Sequence, residues 1–426
     1  MSLSTAAKMR EKPLLFILLA MMAGIFSGMA ALIPFIGMRT AIFLLLTLAA
    51  LTLLLHRHAV VSSLCVLLCY FVFGLFLASE STDREYAPLV SLPIADDIEE
   101  SLSAHREQML QTYDRVGLRD DVRGIVSAMT LGGRQGVSRD LRQAYNITGA
   151  AHVFALSGLH IAIIFMFVSM LLPIRLFPVA SGVIQLLLLW TFVFLVGVHP
   201  SILRAAVMFS CYCLCRMLSR TSHSSDVLIL TATLLLIYNP QWLFDIGFQM
   251  SFMAMTGILT LCPRLMRLLP MPDRKLLRKK RYSIPWRLSS YVWGIIVVTI
   301  AATLGTAPLI AHYFGRLSCY GLLANLVVSP CAMLIIFLAI LLQLSVFLLP
   351  HVGLLSCITT FLATILNIVV DFMNNSMRWL SSLPGASVEG IDITFAQVIL
   401  IYIVIACTIL IAYHLKHGIV RRTTKI

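Results

Sequence analysis

The sequence predicts an all-α fold, a polytopic bundle of about twelve transmembrane helices with a candidate re-entrant segment. Three observations carry this expectation. Hydrophobic residues fill 59% of the 426 positions and charged residues only 12%, with a mean hydropathy of +0.93; a water-soluble domain carries roughly a quarter charged residues. Apolar runs close to the ~20 residues that cross a bilayer recur along the whole chain. Basic clusters fall in alternate connections between those runs, as the positive-inside rule requires.

The first run, Leu14–Pro34, is too long for the core of a signal peptide and has no clear small-residue cleavage site after it, so it is read as a first span. Thr40–Leu55, which is short, and Ala59–Ser79 follow it. Lys8, Arg10 and Lys12 place the N-terminus inside, and three crossings then put Glu80–Ala150 outside. That segment holds twelve acidic and eight basic residues, as suits an outer location. Within it, Ile98, Leu102, His105, Met109, Tyr113 and Val116 recur at helical spacing, with Glu99, Glu100, Arg106 and Glu107 between them. This predicts an amphipathic helix lying on the membrane or on the bundle, and Asp120–Thr130 is expected to continue as a second one.

Nine further spans are expected at Ala151–Leu172, Val179–Gly197, Ser201–Leu218, Asp226–Tyr238, Trp242–Cys262, Ser290–Ile310, Leu322–Leu349, Val352–Phe372 and Ala396–Leu415. Leu322–Leu349 is long and interrupted by Ser329-Pro330, so its first part is the candidate re-entrant segment. This count leaves Arg216 and Arg220, the loop from Arg264 to Arg287 with nine basic residues against Asp273, and the tail with Lys416, Arg421, Arg422 and Lys425 all inside. The chain then divides into N-terminal spans (1–79), a polar outer segment (80–150), a helical core (151–415) and a basic cytoplasmic tail (416–426).

Several chemistries are not encoded. Gly132-Gly133-Arg134-Gln135-Gly136 lacks the spacing and the lysine of a nucleotide-binding loop, so no ATP motor is expected. Cys211, Cys213 and Cys215 stand two apart, which throws them onto different helix faces, and no CxxC pair occurs. His56-Arg57-His58 has no further ligands after it, and no Ser-His-Asp arrangement stands out. The chain is expected to conduct or bind and not to catalyse, with no cofactor and no metal.

Polar groups inside spans are costly and point to function. Ser157, Gly158 and His160 fall in the first turns of a span, where a break in the helix frees backbone groups to line a water-filled path. The competing reading is a histidine bonded to a neighbouring helix. Arg204 follows His199-Pro200-Ser201 at the outer start of a span. A guanidinium there suits a phosphate in bidentate fashion, or snorkels to headgroups, or pairs with Asp245. Asp245 and Gln249 are four apart and share a helix face; Asp245 is suited to hold Arg204 or to cap the helix that follows Asn239-Pro240. Asn325, after Thr303-Leu-Gly305-Thr306-Ala-Pro308 and Phe314-Gly315, is placed to hydrogen-bond across helices.

Three blocks of this chain, in order, resemble the signature of the ComEC competence-channel family. The first runs from Leu131-Gly-Gly-Arg134 through Thr148-Gly-Ala-Ala-His152 to Ala155-Leu-Ser-Gly-Leu-His160. The second is Pro200-Ser-Ile-Leu-Arg204-Ala-Ala-Val-Met208 with Asn239-Pro240 and Gly247-Phe-Gln-Met-Ser-Phe252. The third is Thr306-Ala-Pro308, Phe314-Gly315 and Ala324-Asn325. The resemblance covers roughly Gly124 to Leu349, and Leu14–Ser79 also looks like the family's N-terminal spans. It implies a bacterial inner-membrane channel, both termini cytoplasmic, that passes one DNA strand from periplasm to cytoplasm during natural transformation.

Carried onto this sequence, Ser157, Gly158, His160, Asp245, Gln249 and Asn325 line or gate that path. Strand contact needs cationic and aromatic side chains, and Arg204, Arg134, Arg139, Arg142 and Tyr145 are the candidates, the last four otherwise forming a solvated loop face. The partners implied are single-stranded DNA, membrane lipid, a periplasmic DNA-delivery protein with its pilus, and a cytosolic helicase or single-strand-binding protein. Two departures stand out: the segment after the third span is short for the OB-like domain of many members, and no HxHxDH run marks a metallo-β-lactamase-like nuclease. The resemblance is thus to the channel core, with a separate nuclease as a further partner. The rival reading is a transporter of a small solute or amphiphile built on the same helices.

Overall fold

A computed structural model describes residues 13–30, 37–55, 59–83, 93–133, 136–154, 156–173, 177–218, 223–268, 280–348 and 355–423. In chain order these form α1 (Pro13–Met29), α2 (Met38–Leu54), α3 (Ala59–Asp83), α4 (Pro93–Arg115), α5 (Asp120–Leu131), α6 (Arg139–Ile147), α7 (Gly158–Leu171), α8 (Pro178–Val196) and α9 (Pro200–Met217). Then come α10 (Ser224–Tyr238), α11 (Ile246–Leu265), α12 (Lys280–Phe314), β1 (Arg316–Ser318), α13 (Gly321–Leu348), α14 (Leu355–Ser382), β2 (Ser387–Glu389) and α15 (Phe395–Thr423). The fold is all-α. Val60–Ser79, Pro178–Val196, Ile246–Leu268, Leu288–Phe314, Gly321–Phe347 and Cys357–Ser382 are each long and apolar enough to cross a membrane, and shorter apolar helices accompany them. The protein is an integral membrane protein.

Two expectations on element shape change. Gly321–Leu348 is one continuous helix with Pro330 inside it, so its first part does not re-enter as a separate segment. The helix survives because Val328, Ala332, Ile335 and Ile336 are buried around the proline, so packing offsets the one backbone hydrogen bond that proline removes. The expected span Ala151–Leu172 instead opens with a 3-10 turn at Ala151–Phe154 and starts its α-helix only at Gly158.

The chain forms two compact units, and the division falls within α11, α13 and α14. Unit 1 comprises Met1–Val137, His152–Phe252 and Ala332–Val370. Here α1 and α3 cross with their backbones touching. A Cβ on Gly24 would lie 2.1 Å from the Phe71 carbonyl oxygen, and one on Gly74 2.2 Å from that of Met21. One turn on, a Cβ on Gly28 would lie 2.7 Å from that of Ala78. Lipid tails are as apolar as leucine, so only such close approach, with its dense van der Waals contact, favours helix on helix over helix on lipid.

Side-chain links gather particular helix ends at one end of unit 1. Phe26 stacks on Phe244 with ring centroids 6.0 Å apart, Gln241 Nε2 donates to the Ser81 carbonyl at 3.0 Å, and Ser201 Oγ donates to the Leu156 carbonyl at 2.8 Å. The C-terminal ends of α1, α3 and α10 thus meet the N-terminal ends of α7, α9 and α11, the alternation that successive crossings of one bilayer require. Leu156, Ile161, Val193, Ile202 and Ala206 pack α7, α8 and α9 together just beneath. The polar segment closes over the same end. Gly132, left-handed at φ 70°, ends α5, and a Cβ there would lie 2.9 Å from Leu156.

The polar segment is helical in its described part. Along α4, Leu102, Met109 and Val116 are half-buried and Tyr113 is buried, while His105 is exposed. Tyr113 Oη pairs with Thr130 Oγ1 of α5 at 3.1 Å, and burial pushes its phenol above the ordinary value. Gln343 Nε2 donates to the Met109 carbonyl at 2.8 Å, tying α4 to α13. The helix rests on protein, and α5 is buried along most of its length.

Unit 2 comprises Ser138–Ala151, Met253–Cys331 and Asp371–Ile426. It repeats the glycine device. A Cβ on Gly257 would lie 2.3 Å from the Ala301 carbonyl oxygen, and one on Gly305 2.4 Å from that of Met253. β1 and β2 pair antiparallel, Arg316 opposite Glu389, and His312 Nδ1 lies 2.6 Å from the Ile393 carbonyl. Tyr402 Oη donates to the Gly305 carbonyl at 2.6 Å, joining α15 to α12.

The glycine crossing is testable by contrast. Gly74→Ala is expected to destabilise the protein by about 1–3 kcal/mol, the usual cost of overpacking. Gly294→Ala in α12, where a Cβ meets nothing within 4 Å, is expected to stabilise by up to about 1 kcal/mol through helix propensity. Thermal unfolding in detergent, followed by circular dichroism, separates the two; equal shifts refute the close-crossing account.

Candidate functional site

The residues singled out in the spans converge at one end of unit 1, where three helices begin. α7 starts because Ser157, in extended conformation (φ −118°, ψ 170°), ends the preceding turn and takes the N-cap position. Its backbone N–H donates to His160 Nδ1 at 3.1 Å, and its Oγ sits 2.9 Å from the same nitrogen. This is a capping box in which histidine replaces the usual Glu or Gln. Nδ1 accepts, so the neutral ring carries its proton on Nε2. His160 is 1% exposed, and its Nε2 has no hydrogen-bond partner among the described residues. The bond is to its own helix start, not to a neighbouring helix.

α9 begins after Gly197, at φ 93°, turns the chain out of α8 and Pro200 takes a first-turn position that suits its missing N–H. Ser201 fastens this helix start to Leu156, and a Cβ on Gly158 would sit 3.7 Å from that of Ala205. Arg204 lies in the second turn of α9.

α11 begins through Asn239 and Asp245. The Asn239 side chain accepts from Gln241 N at 2.9 Å, and Pro240 opens the 3-10 turn Pro240–Phe244. Asp245 Oδ1 then accepts from Phe248 N at 2.7 Å, capping α11, and Gln249 Nε2 donates to the Leu243 carbonyl at 2.9 Å. The same Asp245 oxygen lies 3.7 Å from Arg204 Nη1, so Asp245 both caps and pairs. Arg204 lies against Gly247, whose Cβ, if present, would be 3.1 Å from Nη2. Its side chain is 8% exposed, that of Asp245 45%.

Arg139, Arg142, Tyr145 and Asn325 belong to unit 2. α6 turns Leu141, Ala144 and Tyr145 inward and leaves Arg139 and Arg142 exposed. Tyr145 is a correction. Its ring is fully buried and its hydroxyl donates to Asn374 Oδ1 at 2.9 Å, so it has no open face on which a base stacks. The helical period decided this, since Tyr145 is four residues from buried Leu141. Burial pushes its phenol well above the ordinary value. Asn325 is half-buried in the second turn of α13, beside buried Ala324. Arg134 lies outside the described residues.

The family model described as Competence protein matches residues 129–414. The chain belongs to the competence protein family. The match begins in α5 and covers all three helix starts of the site. Two curated proteins are similar to it. The ComE operon protein 3 of Bacillus subtilis (strain 168) is 28% identical over 216 residues, 50% of this chain and 25% of that protein. An uncharacterised protein of Aquifex aeolicus (strain VF5) is 26% identical over 213 residues, 49% of this chain and 45% of that protein. The matches thus span a quarter and a little under half of these relatives. No solved structure matches.

Sequence reasoning missed a second polar cluster. Gln185, 1% exposed in α8, donates to Ser169 Oγ at 2.6 Å and accepts from Arg216, so a neutral side chain holds a cation near the far end of α9. The signal was a lone glutamine inside an apolar span. The glycine crossings also had one: Gly24-x-x-x-Gly28 faces Gly74-x-x-x-Ala78.

The capping box yields a graded expectation. His160→Gln, which can reach back to Ser157 N as Gln does in other capping boxes, is expected to hold most of the stability. Ser157→Ala is expected to cost about 1 kcal/mol. Thermal unfolding of the two in one detergent checks this; a larger loss for His160→Gln than for Ser157→Ala rejects the capping role.

Proposed function

We propose that this protein is the inner-membrane channel core through which single-stranded DNA enters the cytoplasm during natural transformation. Membership of the competence protein family over residues 129–414 is the observation that carries this reading, and it supports a role in DNA uptake for competence. The geometry agrees in kind. A strand with one negative charge per nucleotide is recognised by cations and helix N-termini, and unit 1 sets three helix starts and the buried Arg204 at one end.

In this proposal that end faces the periplasm, both termini are cytoplasmic, and the positive-inside distribution supports the orientation. The protein conducts and does not catalyse. A pilus-linked DNA-delivery protein presents the strand, a separate nuclease removes its complement, and a cytosolic helicase or single-strand-binding protein supplies the pull. Arg139 and Arg142, exposed on α6, serve as outer contacts for phosphate.

The test is a deletion strain of a competent host, given fluorescent DNA and scored for transformants. Loss of transformants with label still reaching the periplasm is expected. Unchanged transformation rejects the DNA-uptake reading and moves the small-solute transporter to first place. In the complemented strain, Arg139→Glu with Arg142→Glu is expected to lower transformation while protein level stays constant; normal transformation removes these two residues from the path.

A further inference from the structure

We propose that Arg204, seated against Gly247 at the start of α11, is a phosphate site whose resting counter-ion is Asp245, and that a phosphodiester of the incoming strand displaces that carboxylate. The inference rests on the DNA-uptake reading and adds to it the ligand atom, the slot and the exchange.

Four observations carry it. First, Arg204 is poorly served for a buried cation. Its side chain is 8% exposed, and among the described residues its nearest carboxylate oxygen stands at 3.7 Å and its buried Nε has no partner. Charge-assisted N–H···O bonds are ordinarily about 2.7–2.9 Å long, and a guanidinium has five donors in a planar fork.

Second, Asp245 does not depend on Arg204. Its Oδ1 already accepts from Phe248 N at 2.7 Å, and its side chain is 45% exposed to solvent. When the guanidinium turns to another anion, the carboxylate keeps its cap. The exchange therefore costs Asp245 little and brings Arg204 the short, forked bonds it lacks.

Third, Gly247 makes the slot. Its missing side chain lets the guanidinium lie on the first turn of α11, where a Cβ would be 3.1 Å from Nη2 and 3.2 Å from Asp245 Oδ1. The backbone N–H groups of a helix start favour an oxyanion at this place. The same end of unit 1 holds the starts of α7 and α9, and these add to the positive field.

Fourth, the surroundings favour a strand over a lipid headgroup. Arg204 lies against the start of α11 within the unit and is nearly sealed, while the Asp245 side chain beside it is 45% exposed. A cation that serves a headgroup extends outward from the helix bundle instead.

The test uses the full chain in maltoside micelles and a fluorescein-labelled (dT)20 oligonucleotide, with affinity measured across a KCl series. Asp245→Asn is expected to bind the oligonucleotide more tightly than wild type, because the competing carboxylate charge is gone. Arg204→Gln is expected to bind more weakly, with a log–log salt slope reduced by about 0.7, one phosphate contact on a single strand. The double variant is expected to match Arg204→Gln. Arg204→Lys, which keeps the charge and loses the fork, is expected to weaken binding with the slope unchanged, and it serves if Arg204→Gln does not fold.

Several results overturn the proposal. One is that both single variants bind more weakly and the double variant recovers, which marks a structural ion pair. Another is that the Arg204 variants keep wild-type affinity and slope. A third is that Arg204→Gln alters co-purifying phosphatidylglycerol and leaves oligonucleotide binding as it was, which marks a lipid site. Wild-type protein that does not bind (dT)20 at all instead rejects the DNA-uptake reading, and the exchange falls with it.

Discussion

Inside a bilayer each backbone N–H must find its acceptor within the protein, because hydrocarbon offers none. The architecture follows from this. Segments that cross become helices, and irregular backbone is pushed to their ends. The turns at Ala151–Phe154 and Pro240–Phe244 and the break at Gly197 all stand beside helix starts or stops. The same constraint makes caps chemically expensive to omit. Asn239 and Asp245 each accept a first-turn N–H, His160 Nδ1 accepts that of Ser157, and these are the residues around which polar chemistry gathers.

With hydrophobic contrast absent between helix and lipid, the helices are held by closeness. Gly24 against Phe71 and Gly74 against Met21 in unit 1, and Gly257 against Ala301 and Gly305 against Met253 in unit 2, bring backbones together at distances no side chain tolerates. Buried or partly buried polar pairs then fix register: Tyr113 with Thr130, Trp190 with Ser210 at 3.1 Å, Tyr402 with Gly305. Each such bond is worth only about a kcal/mol in a membrane, so many small contacts carry the fold and none dominates it.

The site is where these rules are incompletely met. Among the described residues, His160 Nε2 and Arg204 Nε are buried donors with no acceptor, and both stand at helix starts of the same end of unit 1. By contrast, the exposed pair of Arg123 with Asp114 in the polar segment is in direct contact.

The sequence by itself determined the class, the apolar helices and the family blocks. Each rests on hydrophobic periodicity, run length or charge alternation, which are local properties of the chain. Asp245 as cap and Arg204 partner was legible because spacing and residue type left few alternatives. Tertiary structure decided the rest. Tyr145 became a core ring on Asn374 because α6 packs on α14, and Pro330 stayed helical because its neighbours bury it. The loose 3.7 Å approach of Arg204 to Asp245 depends on how α9 meets α11 over Gly247. Such facts turn on distances between segments far apart in the chain, and no local pattern encodes them.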